Sequence, residues 1–281
     1  MIYCPESYIA LLEHIRSQGY RFAAGYHDWD SASDEPQVIL RHDIDVSLGL
    51  AVRMAMLDRE LGIPSIFFAM LRSPHYNIYA TQTRAALEMI VGSGEHRLGL
   101  HYTPPDKLPA DLAEVESWVQ ADWEELYKAL LPIPVTPEVS WHRPTLSLLR
   151  HYCERKFLGR AFLWNAYSQP YFLDAKFLSD SNCRYTDDEL RKFFDPTANP
   201  RVQLLIHPLI WMAGGDNMLQ VWANVWPHLI REQEVELRES RIYGAAFPCG
   251  IPDSIRDSFA QQVKREATKR WEAYSGRRSL D

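Results

Sequence analysis

The chain has 281 residues, of which 46% are hydrophobic, and its formal net charge is −7 at pH 7. This hydrophobic fraction allows a sizeable core and argues against an intrinsically disordered protein. The acidic balance, without any basic block, argues against a nucleic-acid partner. No apolar run approaches the ~20 residues of a membrane-spanning helix, and the N-terminal sequence lacks the pattern of a secretory leader. We therefore expect a cytoplasmic protein.

The cysteines support the same location. Cys4, Cys153, Cys183 and Cys249 lie far apart in the sequence and show no CxxC spacing. This pattern is typical of reduced thiols and argues against a disulfide scaffold or a cysteine zinc site.

Predicted strands and helices alternate along the chain. Helical spacing of apolar residues predicts a first helix that stops at Gly19. The segment VILRHDID predicts a buried strand, and the next helix has Ser47 as its N-cap and Gly62 as its stop. The further predicted strands are SIFFAML, RLGLHY, EVSWHRP, YFLDAKFLSDS and RVQLLIHPLIW. The further predicted helices are ATQTRAALEMIVGSG, DLAEVESWVQADWEELYKALL, LSLLRHYCERKFLG, DDELRKFF and the segments of about 218–240 and 253–275.

This alternation indicates an α/β fold. Strands separated by helices are typical of βαβ units, which build a parallel sheet. The sequence contains no evident internal repeat and no convincing linker. We therefore expect a single domain over residues 1–281, with a barrel at about 20–215 and a helical C-terminal extension at about 216–281.

Ionisable side chains fall at the C-terminal ends of five predicted strands. They are Asp43, Asp45, His101, His142, Arg143, Asp180 and His207. Active sites of (β/α) barrels assemble at this edge of the sheet. The sequence therefore predicts that these side chains meet in one pocket.

The sequence RHDID contains the first two of these groups. Asp43 and Asp45 share one face of a straight strand, because successive side chains alternate between its faces. One carboxylate can then bind a cation while the other accepts a proton. Helix capping by Asp45 and an ion pair between Asp43 and Arg41 are the structural alternatives, but they do not explain the whole cluster.

The other strand ends add a candidate metal ligand, a candidate proton donor and two residues that could hold catalytic groups in place. Beside the two carboxylates, His101 is a candidate ligand for zinc or a similar divalent ion, although a lone strand histidine is usually a core residue. Arg143 could hold a catalytic carboxylate through a bidentate pair, or form a surface salt bridge. His207 could donate a proton to a leaving group. Asp180 could orient His207, or take part in a turn.

Five blocks in this order resemble the motifs of the polysaccharide deacetylase superfamily, the NodB-homology carbohydrate esterases. The blocks are LRHDID, LGLHY, WHRP, LSDS and LLIHP, within residues 38 to about 211. They are most similar to the divergent branch found with O-antigen and other surface-polysaccharide biosynthesis proteins. Each motif alone is weak, whereas five in sequence at strand ends are fairly specific for the superfamily.

The resemblance implies a distorted (β/α)7 barrel, here with extra C-terminal helices, and metal-dependent removal of an N-acyl group, typically acetyl, from a sugar. Residue by residue, Asp43 matches the catalytic base and His207 the general acid. Arg143 would tether Asp43, and Asp180 would support His207. The first motif departs from the usual adjacent carboxylates, because Ile44 separates them.

The resemblance also implies a divalent metal ion, most typically zinc, with Asp45 and His101 as ligands. The family usually has a second histidine ligand four residues after the first, and Pro105 stands there in this chain. The candidates for the third protein ligand are His142, Asp106 and His42. Because HRPT is a short version of the arginine motif, either His142 or Arg143 could occupy the position of the arginine.

Three residues are candidates for substrate contacts. Trp211 lies four residues past His207 and could stack on a sugar ring, while Tyr102 ends one predicted strand and His75 follows another. Trp222 and Trp226 are spaced four residues apart, which is more typical of a helix core.

The expected substrate is an N-acylated sugar, and a cytoplasmic location would make it a nucleotide-linked or lipid-linked precursor of a surface glycan. One alternative is a non-catalytic sugar-binding protein of a glycan-assembly pathway, which Pro105 favours. A second alternative is a hydrolase of a non-sugar amide. The presence of both Asp43 and His207 favours an enzyme, because a binding protein needs neither a base nor an acid.

Overall fold

The computed structural model describes residues 2–29, 33–105, 107–185 and 187–278. The strands are β1 (Arg21–Phe22), β2 (Gln37–Ile44), β3 (Ile66–Ala69), β4 (Arg97–Tyr102), β5 (Glu138–Trp141), β6 (Phe157–Leu158), β7 (Leu163–Asn165), β8 (Lys176–Ser179) and β9 (Arg201–Ile206). The α-helices are α1 (Pro5–Ser17), α2 (Leu48–Glu60), α3 (Thr81–Val91), α4 (Ala113–Leu130), α5 (Leu146–Tyr152), α6 (Gln169–Phe172), α7 (Asp187–Lys192), α8 (Pro208–Ala213), α9 (Met218–Leu237), α10 (Arg241–Ala246) and α11 (Asp253–Arg278). Two 3-10 turns cover Tyr26–Asp28 and Ser181–Cys183.

The strands form one curled sheet, which confirms the predicted α/β class. Their order is β6-β7-β5-β4-β3-β2-β9-β8, and β1 pairs with β2. Neighbouring strands are parallel except for β6 and β7. Parallel neighbours need crossover connections, which the helices between them provide. Within the described ranges no ladder joins β7 to β8, so the sheet has the form of a half-barrel.

Strand β2 lies in the middle of this sheet, between β3 and β9. All of its residues are buried, as a strand covered on both faces requires. The next helix, α2, follows after a short turn, and its N-cap Ser47 accepts a hydrogen bond from the amide of Leu50, as the sequence predicted. This turn holds Asp45 at the C-terminal edge of the sheet.

Some predicted elements have different bounds. The segment RVQLLIHPLIW is not one strand, because β9 ends at Ile206 and α8 begins at Pro208. Proline is favoured in the first turn of a helix, where its missing N–H is not needed. The segment LSLLRHYCERKFLG likewise divides into α5 and β6. These breaks change the direction in which later side chains point.

The C-terminal helices α9 and α11 pack against each other, with the rings of Trp226 and Phe259 at 6.1 Å. Helix α9 also contacts α2 through Glu232, which accepts hydrogen bonds from the hydroxyl of Ser47 and the amide of Gly49. Helix α9 therefore lies beside the C-terminal edge of the sheet. No helix in the described ranges is both long and apolar enough to cross a membrane.

Candidate active site

A cavity of about 550 Å³ opens at the C-terminal edge of the sheet. It is lined by ionisable side chains from the ends of four strands, namely Asp43, Asp45, His101, His142, Arg143 and His207. The seventh predicted residue, Asp180, lies directly behind His207, to which it is hydrogen-bonded. The structure thus brings the predicted side chains together, as parallel strands ending at one edge should.

Three of these side chains form a candidate metal site. One ligand atom from each of Asp45, His101 and His142 can be chosen so that all lie within 4.8 Å of one another. The Nε2 atom of His101 is 3.1 Å from Oδ1 of Asp45, and the rings of His101 and His142 are 5.2 Å apart. Two imidazoles and one carboxylate suit zinc, and three protein ligands leave a coordination position open. The residues therefore fit a divalent ion.

Of the three candidates for the third ligand, the structure places His142 in this cluster. His42 is fully buried on the other side of β2. Its Nδ1 donates to the carbonyl oxygen of Ile206 at 3.1 Å, and its Nε2 lies 2.9 Å from Oδ2 of Asp58. Asp106 lies outside the described residues.

The pKa values of two of the three side chains suit metal ligands at neutral pH. Burial raises the pKa of Asp45, but the hydrogen bond and the positive charge of His101 outweigh it and hold that pKa well below its usual range. Burial, with repulsion from His101, lowers the pKa of His142 to about 4. Asp45 is therefore ionised and His142 neutral, which are the protonation states that metal ligands need.

His207 and Asp180 form a tight pair at the side of the cavity. Oδ1 of Asp180 lies 2.5 Å from Nδ1 of His207, and its Oδ2 accepts from the backbone amide of His207 and from Nε1 of Trp211. Burial lowers the pKa of His207, but the charge of Asp180 and its hydrogen bond raise it to about 9. His207 is therefore protonated at neutral pH, and its Nε2 lies 3.8 Å from Oδ2 of Asp45.

Asp43 is held by Arg41 and Ser140, not by Arg143. Its Oδ2 accepts from the hydroxyl of Ser140 at 3.1 Å and lies 3.4 Å from Nη2 of Arg41. Arg41 is fully buried, and its guanidinium lies 4.6 Å from the ring centre of Tyr167, whose hydroxyl it also contacts. Arg143 is exposed. The expectation that Arg143 tethers Asp43 is corrected accordingly, because Arg41 shares the inward face of β2 with Asp43.

The candidate substrate contacts need two corrections. Trp211 lies on α8 and is fully buried, so it cannot stack on a sugar. Tyr102 points away from His101, because neighbouring strand residues face opposite sides, and it packs edge-on against Trp141 at 5.6 Å. His75 does line the cavity at the C-terminal edge of the sheet. Trp222, expected in a helix core, is 40% exposed and lines this cavity too.

Sequence reasoning missed the roles of Ser140 and Tyr167 around Asp43, and gave the ion pair between Asp43 and Arg41, which the structure shows, only as a structural alternative. A signal existed for Arg41, because it stands two residues before Asp43 and so shares its strand face. Ser140 had the same kind of signal on β5, two residues before His142. No local pattern pointed to Tyr167, which reaches the site from the turn after β7.

No family model matches the chain, and no curated protein matches it. Among solved structures, it is similar to a protein of Bordetella bronchiseptica described as a "putative polysaccharide deacetylase involved in o-antigen biosynthesis". The two share 15% identity at a TM-score of 0.43, over 77% of this chain and 92% of the other.

Proposed function

We propose that this protein is a metal-dependent deacylase that hydrolyses an N-acyl group, most simply N-acetyl, on a sugar of a surface glycan. The observation that carries the proposal is the position of Asp43 and His207 beside the cluster of Asp45, His101 and His142. We further infer that the curled sheet is a distorted (β/α)7 barrel, because the seven consecutive strands from β7 to β8 in the sheet order run parallel, with β1 added only at the side of β2. The seven are β7, β5, β4, β3, β2, β9 and β8.

Asp45, His101 and His142 would hold the divalent ion, and zinc suits this ligand set best. When bound there, the ion would supply Lewis-acid polarisation of the acyl carbonyl group. The exposed edge of the cluster faces the cavity, where an acylated sugar can enter.

Asp43 is placed to accept a proton from the attacking water. Its Oδ2 is held by Arg41 and Ser140, whereas its Oδ1 is buried and has no hydrogen-bond partner among the described residues. A buried carboxylate oxygen without a partner is costly. In a cavity that admits substrate, this oxygen can accept the proton that the water loses as it attacks the acyl carbon.

His207 is placed to protonate the departing amine. Asp180 accepts from Nδ1 and fixes the ring, so that Nε2 carries the proton that faces the cavity. A histidine with a pKa of about 9 is charged before the C–N bond breaks and can give up its proton as the amine leaves.

The test is acetate release from a panel of N-acetylated sugars by the zinc-loaded protein. We expect turnover by the native protein. Asp43→Asn should reduce it by at least ~100-fold while the metal content stays the same, because a base is lost and no ligand is. Tight sugar binding without acetate release would instead indicate the non-catalytic sugar-binding protein, and unchanged turnover in Asp43→Asn would refute the assigned base.

A further inference from the structure

A carboxylate of the C-terminal extension lies at the N-terminal end of α2. Oε1 of Glu232, on α9, accepts hydrogen bonds from the hydroxyl of Ser47 and from the backbone amide of Gly49, the latter at 2.9 Å. The hydroxyl of Ser47 in turn accepts from the amide of Leu50 at 3.1 Å. The first amides of a helix have no partner within it and attract negative charge. Glu232 and Ser47 together therefore cap α2.

The glycine at residue 49 fits this contact. A Cβ atom there would lie 2.6 Å from Oε1 of Glu232, which is closer than such atoms approach in real structures. The backbone of Gly49 does not have a positive φ, so its conformation does not require glycine. Glycine is also among the least favourable residues in a helix. The docked carboxylate therefore explains why residue 49 has no side chain.

The capped end of α2 is joined directly to a proposed metal ligand. Asp45 stands two residues before Ser47, in the segment of residues 45–47 that connects β2 to α2. We call this segment the β2–α2 turn. At its other end the hydroxyl of Tyr76 donates to the carbonyl oxygen of Ile44 at 2.8 Å. Glu232 therefore acts on Asp45 through two residues of backbone.

Asp45 depends on this support more than the other two proposed ligands do. His101 lies within β4, which pairs with β5 at this residue. The amide of His142 donates to the carbonyl oxygen of Tyr102 at 2.8 Å, which extends the same ladder. The ladders of β2 reach no further than Ile44, so none of the described strands pairs with Asp45.

Metal binding is sensitive to the position of each ligand. A metal site needs its ligand distances within about 0.2 Å of their ideal values, and residues that hold the ligands in place typically contribute roughly 10–100-fold in metal affinity. Oδ1 of Asp45 lies 3.1 Å from Nε2 of His101. A shift of the β2–α2 turn would change this spacing, because it moves Asp45 and leaves the strand histidine in place.

We propose that Glu232 is a positioning residue for the metal site. By capping α2 it holds the β2–α2 turn where Asp45 faces His101 and His142. This inference rests on the proposed function, because it takes those three side chains as the metal ligands. It gives the C-terminal extension, which none of the five sequence motifs reaches, a part in building the site.

Zinc titration against a chromophoric chelator tests this without requiring turnover. We expect Glu232→Ala to weaken zinc binding about tenfold. Glu232→Gln should recover most of the affinity, because its amide oxygen accepts the same two hydrogen bonds. An unchanged zinc affinity in Glu232→Ala would overturn the proposal.

Glu234→Ala is the matched control for a purely structural effect. Glu234 is buried on the same helix, but its carboxylate holds the last helices, since it accepts from the hydroxyl of Tyr243 at 2.9 Å and from Nη1 of Arg256 at 2.8 Å. Its loss should lower the urea midpoint of unfolding in the presence of a chelator and leave the zinc affinity at the native value. A tenfold loss of zinc affinity in Glu234→Ala would contradict a specific role of Glu232.

Gly49→Ala tests the contact from the other side. The added methyl group displaces the carboxylate of Glu232, so we expect a similar loss of zinc affinity although alanine is a better helix former than glycine. In the double variant Gly49→Ala/Glu232→Ala the carboxylate is already absent, so the zinc affinity should equal that of Glu232→Ala alone. Losses that multiply in the double variant would mean that the two residues act independently, against the proposal.

The outcomes separate this inference from the proposed hydrolysis. If Glu232→Ala weakens zinc binding but the native protein releases no acetate from any N-acetylated sugar, the hydrolysis fails while the positioning role stands. If the native protein releases acetate and Glu232→Ala binds zinc as tightly as the native protein, the reverse holds. A native protein that binds no zinc would overturn both.

Discussion

Nδ1 of His207 lies 2.5 Å from Oδ1 of Asp180, and the second oxygen of that carboxylate accepts from the indole of Trp211. Asp180 is almost fully buried, so its charge acts on His207 with little screening by solvent. Asp180 makes the largest contribution to the raised pKa of the proposed acid, and the charges of Asp45 and Asp43 add to it.

Replacing Asp180 should impair the acid without removing the metal. Asp180→Asn leaves His207 buried without its negative partner, so the pKa of His207 should fall and the basic limb of the pH–rate profile should move to lower pH. We expect kcat to decrease by about 100-fold at pH 8. The profile and the zinc content are to be measured together. A basic limb at the same pH would show that His207 is not the titrating acid.

The same pair predicts a pH dependence of stability in the metal-free protein. The pKa of His207 is raised to about 9 by folding, so the folded state holds this proton more tightly than the unfolded chain. The stabilisation that this proton gives to the folded state is fully present when the pH is below the unfolded pKa of ~6.5. It is lost as the pH rises through about 9.

Urea unfolding in the presence of a chelator measures this effect. The free energy of unfolding of the native protein, minus that of His207→Gln, should fall by about 1–3 kcal/mol between pH 6 and pH 10. His27→Gln, at an exposed histidine, is the control and should give a difference independent of pH over the alkaline range. If the difference in free energy of unfolding between the native protein and His207→Gln does not change with pH, folding does not raise the pKa of His207.

Arg41 should matter more for stability than Arg143. Arg41→Met leaves the buried carboxylate of Asp43 without its cation, and losing one partner of a buried pair costs about 3–5 kcal/mol. Arg143→Met, at an exposed position of the same cavity, should change the free energy of unfolding by less than about 0.5 kcal/mol. Chemical denaturation of both variants measures these free energies of unfolding. Equal losses in the two variants would show that Arg41 does not stabilise the buried carboxylate of Asp43.

Trp222 should contribute to substrate binding. It lines the proposed active-site cavity, whereas Trp226, one turn further along α9 and similarly exposed, packs against Phe259. We expect Trp222→Ala to raise KM about tenfold, which is ~1.4 kcal/mol of binding free energy, with kcat little changed. Trp226→Ala should leave both constants near the native values. Steady-state kinetics on one sugar substrate compares them.

Much of the site follows from a single rule about strands. Parallel strands end at one edge, so placing Asp43, His101, His142 and His207 at strand ends was enough to bring them together. The predictions that were wrong depended on the direction of the backbone after a strand ends. Trp211 was interpreted as part of an extended segment, but Pro208 begins a helix, which turns the indole into the core.

The sequence offered Arg41 as the partner of Asp43 only as an alternative, because the choice of partner depends on burial. Both Arg41 and Arg143 stand close to predicted site residues in sequence, and the resemblance favoured Arg143. Packing decides between them, since Arg41 is enclosed by the rings of Tyr167, Phe177 and Phe68. Those aromatic side chains come from β3, β8 and the turn after β7, and no sequence pattern shows that they surround one guanidinium.

The metal site is the central claim, and anomalous diffraction from crystals of the zinc-loaded protein tests it most directly. We expect one ion with bonds of ~2.0–2.2 Å to Asp45, His101 and His142, and its anomalous peak should disappear in His142→Ala crystals but persist in those of His75→Ala. An ion bound elsewhere, or crystals soaked in zinc that show no peak between these three side chains, would contradict the account.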